Sequence, residues 1–185
     1  VKNAGRFFVE SGAEIVKVEA TAADLGVIKA ISDAGMAVMA HIGIRPQSIA
    51  QLGRLKAEGT TAETAVELIT LARQMVDAGA KMLLLEGVAA EVAKIITEQS
   101  AAPVIGCGSG AYCDGQILII ADILGLTAGL RPKFAKSFGD LGKATVEAVG
   151  KYVKEVREGA LADDEHSYHL KSGQQEHLAK MLANI

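Results

Sequence analysis

Asp77-Ala78-Gly79-Ala80-Lys81-Met82-Leu83-Leu84-Leu85-Glu86 is the clearest copy of a phrase that this chain uses three times. The others are Glu10-Ser11-Gly12-Ala13, leading to an apolar run that stops at Glu19, and Asp33-Ala34-Gly35-Met36, leading to one that stops at His41. A glycine directly behind helical residues marks a left-handed helix stop, and the short apolar run after it reads as a buried strand. Repeated, the phrase is a βα unit. In parallel β/α folds the functional groups collect where strands end and loops begin, so Lys17, Glu19, His41 and Glu86 are candidates aimed at one mouth.

Composition agrees with that class. Half of the 185 residues are hydrophobic, only 4% are aromatic and 20 are glycine, a profile of small aliphatic layers joined by tight turns. The net charge of -3, with cations and anions interspersed, offers no basic stripe for a phosphate backbone, and the few aromatics offer no stacking platform. Nucleic acid is therefore not an expected partner. The longest apolar stretch, Ile117 to Leu126, contains Asp122 and falls short of the roughly 20 residues a membrane span needs. Cys107 and Cys113 have no His or Cys at metal-ligand spacing and read as reduced thiols of a cytoplasmic protein.

Periodicity predicts helix over 2–11, strand over 13–19, helix over 22–34 and strand over 37–42. A loop runs through Arg45-Pro46-Gln47 and the glycine-punctuated 53–59. Thr60 with Glu63 reads as a capping box, opening a helix that ends at Gly79. Strand 81–86, helix 88–100, strand 103–107 and helix 114–124 follow, the last with Asp114 and Gln116 as caps. Beyond lie an extended piece near 126–134, an amphipathic helix over 140–158 and room for a short helix near 172–184. Four clear strands and one doubtful one are too few for a closed barrel, which needs eight strands and about 250 residues. Two architectures stay open on this evidence: a small doubly wound sheet, or part of a (β/α)8 barrel.

Seven strings occur in one order: Ile15-Val16-Lys17-Val18-Glu19, Ala40-His41-Ile42-Gly43-Ile44-Arg45-Pro46-Gln47-Ser48, Leu83-Leu84-Leu85-Glu86, Pro103 to Gly110, Cys113-Asp114-Gly115-Gln116-Ile117-Leu118, Pro132-Lys133-Phe134-Ala135-Lys136, and Glu165-His166-Ser167-Tyr168-His169. Together they resemble ketopantoate hydroxymethyltransferase, from about residue 10 to residue 169. The resemblance implies an α/β fold, a (β/α)8 TIM barrel of the phosphoenolpyruvate/pyruvate-like type. It also implies that this chain corresponds to strand four onward, without the first three strands and the two metal-binding aspartates they carry. On that reading residues 1–159 are the partial barrel and 160–185 a C-terminal tail.

The activity so implied is transfer of a hydroxymethyl group from 5,10-methylenetetrahydrofolate to 3-methyl-2-oxobutanoate, giving ketopantoate through a magnesium-stabilised enolate, in a cytoplasmic homo-oligomer. By the resemblance Glu19 is the metal-associated carboxylate (Mg2+), Lys17 pairs with the substrate carboxylate, His41 orients the substrate, and Glu86 is the base at carbon 3. The residue chemistry is compatible: hard cations take carboxylate oxygen, a lysine ammonium is a point charge for an anion, and a carboxylate behind three leucines is pushed toward a higher pKa. Each also has a plainer reading. Lys17 and Glu19 could be a mutually paired edge, His41 a satisfied structural residue, and Gly106-Cys107-Gly108-Ser109-Gly110-Ala111 a tight turn, although it also meets a loose dinucleotide pattern. The acidic and His-bearing stretch 163–169 reads as a solvated tail.

Departures from the family pattern fall in loops near the mouth. Ala20 and Thr21 stand where glycines are usual, Arg45 where a small hydroxyl residue is common, and Ala89 where proline is common, while the loop 53–59 lacks its usual aromatic. Two other functions remain open at this level: a magnesium-dependent lyase or mutase of the same barrel class, and a non-catalytic truncated subunit. An open half barrel would expose a strand edge and apolar surface that call for a partner.

Overall fold

The computed structural model describes residues 1–53, 56–129 and 131–183; Arg54 and Leu55 of the loop read above, and the last two residues of the tail, lie outside it. Helix α1 (Lys2–Ser11) leads to strand β1 (Val16–Glu19), α2 (Leu25–Asp33), β2 (Val38–Gly43), the single turn α3 (Ile49–Leu52) and α4 (Ala62–Asp77). There follow β3 (Met82–Glu86), α5 (Ala90–Gln99), β4 (Val104–Cys107), the two-residue β5 (Gly115–Gln116), α6 (Ile120–Ile123), α7 (Leu141–Glu158) and α8 (Gln174–Leu182). Gly12, Gly35 and Gly79 all have positive φ, so the repeated phrase has the left-handed stop that its glycine predicts.

The five strands form one parallel sheet in the order β1-β2-β3-β4-β5. A doubly wound sheet reverses direction at a switch point, whereas here each strand pairs with the next in sequence. That is the winding of a β/α barrel, and it settles the choice between the two architectures in favour of the barrel type. Right-handed crossovers that always advance in one direction place their helices on one face. Val16, Val38, Ala40, Ile42, Leu83, Leu85 and Val104 accordingly form one buried cluster with Ile28 and Ile31 of α2, Leu68, Ala72 and Met75 of α4, and Val92, Ala93 and Ile96 of α5. Strand alternation sends Lys17, Glu19, Met39, His41, Met82, Leu84, Glu86, Ile105 and Cys107 to the opposite face.

Three local expectations are corrected. The N-cap of α4 is Thr61, with Thr64 as its reciprocal partner, one residue later than the Thr60 and Glu63 box. The expected helix over 114–124 is mostly absent: Gly115 and Gln116 pair with β4, and only Ile120–Ile123 is helical. The caps assigned to that helix are used elsewhere. Asp114 accepts the Val104 N–H at 2.8 Å, and the Gln116 amide donates to the Gly110 carbonyl at 2.9 Å, so both side chains hold β5 and its turn to β4. No strand forms near 126–134 among the described residues. The tail motif satisfies itself locally, with His166 on Asp163 at 2.6 Å and His169 near Asp164 at 3.3 Å, all exposed.

Met75 is fully buried between α4 and the sheet, so Met75→Ala is expected to cost about 2–5 kcal/mol of stability, read as a lower midpoint of urea unfolding with an unchanged slope.

Candidate active site

Strand pairing assembles the site before any side chain is considered. Glu19, His41 and Leu84 are neighbours across β1, β2 and β3, and one pleat further on Gly43, Glu86 and Cys107 are neighbours across β2, β3 and β4. Because the strands are parallel, the polar residue that ends each apolar run arrives at the same end of the sheet. Lys17 lies one pleat behind, beside Met39 and Met82. The four residues singled out from the sequence therefore share a face and an end.

His41 is the centre of the group and is fully buried. Its Nε2 lies 3.3 Å from Glu86 Oε2 and its Nδ1 lies 4.0 Å from Glu19 Oε1. These distances look like ion pairs, yet neither ring nitrogen makes a hydrogen bond, because the angles are wrong even where the distance is short. The imidazole is also neutral near pH 7. Burial, reinforced by the positive charges of Lys17 and Arg45 and opposed by a backbone contact at Ile44, pulls its pKa down to about 4. A neutral imidazole has one N–H and one lone pair, so it can donate to one of its two carboxylate neighbours and must offer an acceptor to whatever meets its other nitrogen. Two unpaired buried polar atoms call for an explanation, and a group that binds between them supplies one.

The carboxylates differ in setting. Both Glu19 oxygens accept from the Gln47 N–H, at 3.3 and 3.2 Å, which ties the end of β1 to the loop after β2. Burial pushes the Glu86 carboxyl up; the Lys17 charge opposes this and the Glu19 charge adds to it. Lys17 itself makes no hydrogen bond or ion pair among the described residues and is exposed. Among those residues no three His, Cys, Asp or Glu side chains converge as a metal-holding group. Glu19 nonetheless fits a magnesium ion as a single hard carboxylate, since that ion commonly takes one or two protein carboxylates and fills the rest of its shell with water and substrate.

The backbone around Glu86 is closely held. Its carbonyl accepts the Ile44 N–H at 2.8 Å, and the Gly87 N–H donates to the Cys107 carbonyl at 2.8 Å. Gly43, with φ 95°, must lack a side chain: a Cβ there would run into the Glu86 carbonyl oxygen. Sequence reasoning passed over Gly43, although a glycine two residues beyond a strand-end histidine was visible. It also passed over Ser109, whose hydroxyl bonds both sides of the Glu86 turn, and for which the sequence carried no signal beyond a glycine-rich setting. That setting is a tight turn, as its plainer reading held. Gly108 and Gly110 have positive φ and would strike Phe134 and Ala90 with a Cβ.

A separate concavity lies elsewhere. A cleft of about 790 Å³ runs between Ile44, Arg45, the 56–61 loop and α4, and contains none of Lys17, Glu19, His41 or Glu86. Buried, perturbed and unpaired polar groups converge instead at the strand ends, the pattern of a candidate functional site.

Cys107, facing Glu86, has its thiol pushed up to about 11 by burial first and the Glu86 charge second. Little thiolate exists below that pH, so in the folded protein at pH 8 Cys107 should alkylate at least about tenfold more slowly than a free thiol and accelerate as pH rises toward 11. Peptide mapping after iodoacetamide treatment checks this.

Known proteins bear on this geometry. A curated relative from Thermoanaerobacter sp. (strain X514), named 3-methyl-2-oxobutanoate hydroxymethyltransferase, is 44% identical over 168 residues, covering 91% of this chain and 61% of the relative. Relatives of the same name from Clostridium acetobutylicum and Anaeromyxobacter sp. (strain K) are 46% and 45% identical, covering 92% and 93% of this chain and 62% and 56% of their own lengths. The chain thus spans roughly three-fifths of the relatives it matches. The family profile of ketopantoate hydroxymethyltransferase matches residues 1–164. By that match, which covers most of its length, the chain belongs to the ketopantoate hydroxymethyltransferase family.

Proposed function

We propose that the protein transfers a hydroxymethyl group from 5,10-methylenetetrahydrofolate to 3-methyl-2-oxobutanoate, forming ketopantoate. What carries the reading is His41: a buried, neutral imidazole with both nitrogens unpaired, set between Glu86 and Glu19 at one end of a parallel sheet. A small oxygen-rich anion would supply an acceptor for the one N–H of the neutral ring, and the relatives are named for such a substrate. Residues 1–159 then form a section of the barrel and 160–185 a tail.

In this reading Lys17 attracts the substrate carboxylate, and its lack of a partner among the described residues supports that use. Glu86 takes the proton from carbon 3. Its raised pKa, caused chiefly by burial, brings its basicity closer to neutral pH, where a general base is most effective. The electron pair left on carbon 3 delocalises onto the 2-oxo oxygen as an enolate, and the His41 N–H is the donor that steadies that oxygen. A magnesium ion, held by Glu19, would supply positive charge that makes the neighbouring C–H more acidic. As carbon 3 bonds to the methylene carbon of the folate, one of that carbon's two bonds to folate nitrogen breaks and the freed nitrogen takes a proton. Water then replaces the second nitrogen, its oxygen bonding to the carbon and one of its protons passing to the nitrogen, to leave a hydroxymethyl group and tetrahydrofolate. The protein is assigned to the cytoplasm as a homo-oligomer. In support, no helix of the described residues is long and apolar enough to cross a membrane, and α7 exposes an apolar stripe of Val146, Val149, Tyr152, Val153 and Val156.

Hydrogen–deuterium exchange at carbon 3 of 3-methyl-2-oxobutanoate, followed by NMR with magnesium present, isolates the first step. Glu86→Gln should slow it by about 10²–10⁴-fold. Exchange within about twofold of the unsubstituted protein would remove Glu86 as the base.

A further inference from the structure

We infer that Ser109 is a positioning residue for Glu86, acting through the backbone of the turn that carries it; the inference rests on the reading of Glu86 as the base. Ser109 is fully buried, one of three buried polar or charged residues among the described ones, with His41 and Asp122. Its hydroxyl donates to the Leu85 carbonyl at 2.7 Å and accepts the Val88 N–H at 3.1 Å. One oxygen atom therefore bridges the residue before Glu86 and the second residue after it.

Between those two bonds the chain has to leave β3 and reverse toward α5. Gly87, at φ 58°, makes the reversal, and a Cβ there would strike Ile44. Glu86 stands at the apex of a short arch whose two feet rest on a single hydroxyl. Its other ties include Ile44 N–H to the Glu86 carbonyl and Gly87 N–H to the Cys107 carbonyl, from the flanking strands, and Glu58 N–H to the Gly87 carbonyl, from the 56–59 loop. They fix the apex to β2, β4 and the loop but leave the N–H of the buried Val88 to the Ser109 hydroxyl, its partner among the described residues.

The chemistry of the bridge is specific to a hydroxyl. Alanine can neither donate nor accept, and a thiol does both weakly at longer distance. Ser109 is in turn held between Gly108 and Gly110, whose positive φ values let the turn press against Phe134 and the start of α5. The glycine-rich segment thus acts as a rigid seat for a hydroxyl. A base displaced by a fraction of an ångström loses its line to the substrate proton, and such displacements cost up to about 100-fold in rate.

The test compares Ser109→Ala, Ser109→Cys and Glu86→Gln with the unsubstituted protein in the carbon-3 exchange assay, at a temperature where circular dichroism shows each to be folded. Ile28→Ala, which opens a cavity in the helix-side core away from the turn, serves as the control for stability loss alone. For Ser109→Ala, kcat is expected to fall about 10–100-fold with KM kept within about threefold, while Ile28→Ala keeps kcat. Ser109→Cys should fall between Ser109→Ala and the unsubstituted protein. In a Glu86→Asp background, where the carboxylate is already misplaced, Ser109→Ala should cost markedly less than in the natural background.

A folded Ser109→Ala with kcat within about twofold of the natural protein overturns the assignment, as does an equal loss in Ile28→Ala or full additivity with Glu86→Asp. Should Ser109→Ala not fold, Ser109→Cys decides by the same limits. Failure of the underlying reading looks different: an unsubstituted protein that does not exchange, or a Glu86→Gln that exchanges normally, removes the base itself.

Discussion

The hydrogen bonds that join three consecutive strand ends govern the rest of this molecule. Ile44 N–H reaches back to the Glu86 carbonyl, and Gly87 N–H reaches on to the Cys107 carbonyl, so the ladder continues one step beyond the regular strands. This extension is possible only because Gly43 has no side chain to collide with Glu86. A parallel ladder has a single register wherever one face is buried, because a slip of one residue would turn Ala40, Ile42, Leu83 and Leu85 away from the helices. The packing of the helix side therefore determines which side chains stand at the mouth. Stability and site geometry are set by the same pairing.

The electrostatics of the mouth follow from that rigidity. Two carboxylates flanking an imidazole would ordinarily raise its pKa, and an ion-paired triad would result. Here burial of the ring and the nearby charges of Lys17 and Arg45 lower it instead, against a backbone contact at Ile44, and the imidazole is left neutral. Neither side offers a formed bond: Glu19 stands too far from Nδ1, at 4.0 Å, and the 3.3 Å approach of Glu86 to Nε2 is not a hydrogen bond. Such a group is costly to bury, about 1–3 kcal/mol for each unpaired polar atom, and stays in place only because the surrounding ladder holds it. That cost is the physical argument for a ligand that pairs with it.

How much of this could be read from the sequence depended on whether a feature was repeated along the chain or made between distant residues. The βα units were legible because Gly12, Gly35 and Gly79 precede apolar runs in the same phrase, and the shared face of Lys17, Glu19, His41 and Glu86 followed from strand alternation. Periodicity alone left the strand order open, since doubly wound and barrel windings use the same units, and it was the seven family strings that pointed to the barrel type that the sheet shows. The β5 segment reads as helix in the sequence because Ile117 to Leu124 has apolar spacing, while the bonds that pull 114–116 onto β4 come from Val104 and Gly110, ten and six residues away. Ser109 was invisible for the same reason. Its partners, Leu85 and Val88, lie more than twenty residues earlier in the chain.

The departures from the family pattern lie in the loops above the ladder, and several have a structural use. Thr21 caps the turn Ala22–Asp24, accepting the Ala23 N–H while Asp24 accepts the Thr21 N–H and hydroxyl, so the segment after Glu19 is held by side chains. Ala89 donates its N–H to the Glu58 carbonyl at 3.0 Å, a bond that proline could not make. Together with the Glu58 N–H to the Gly87 carbonyl, also 3.0 Å, it stitches the 56–59 loop onto the turn carrying Glu86. Arg45 reaches the same region electrostatically: its charge lowers the pKa of Glu58, whose burial raises it, and helps to keep His41 neutral. Thr21, Arg45 and Ala89 thus bear on how the roof is fastened and charged, while Ala20 is buried and its backbone N–H continues the ladder to the His41 carbonyl at 2.8 Å.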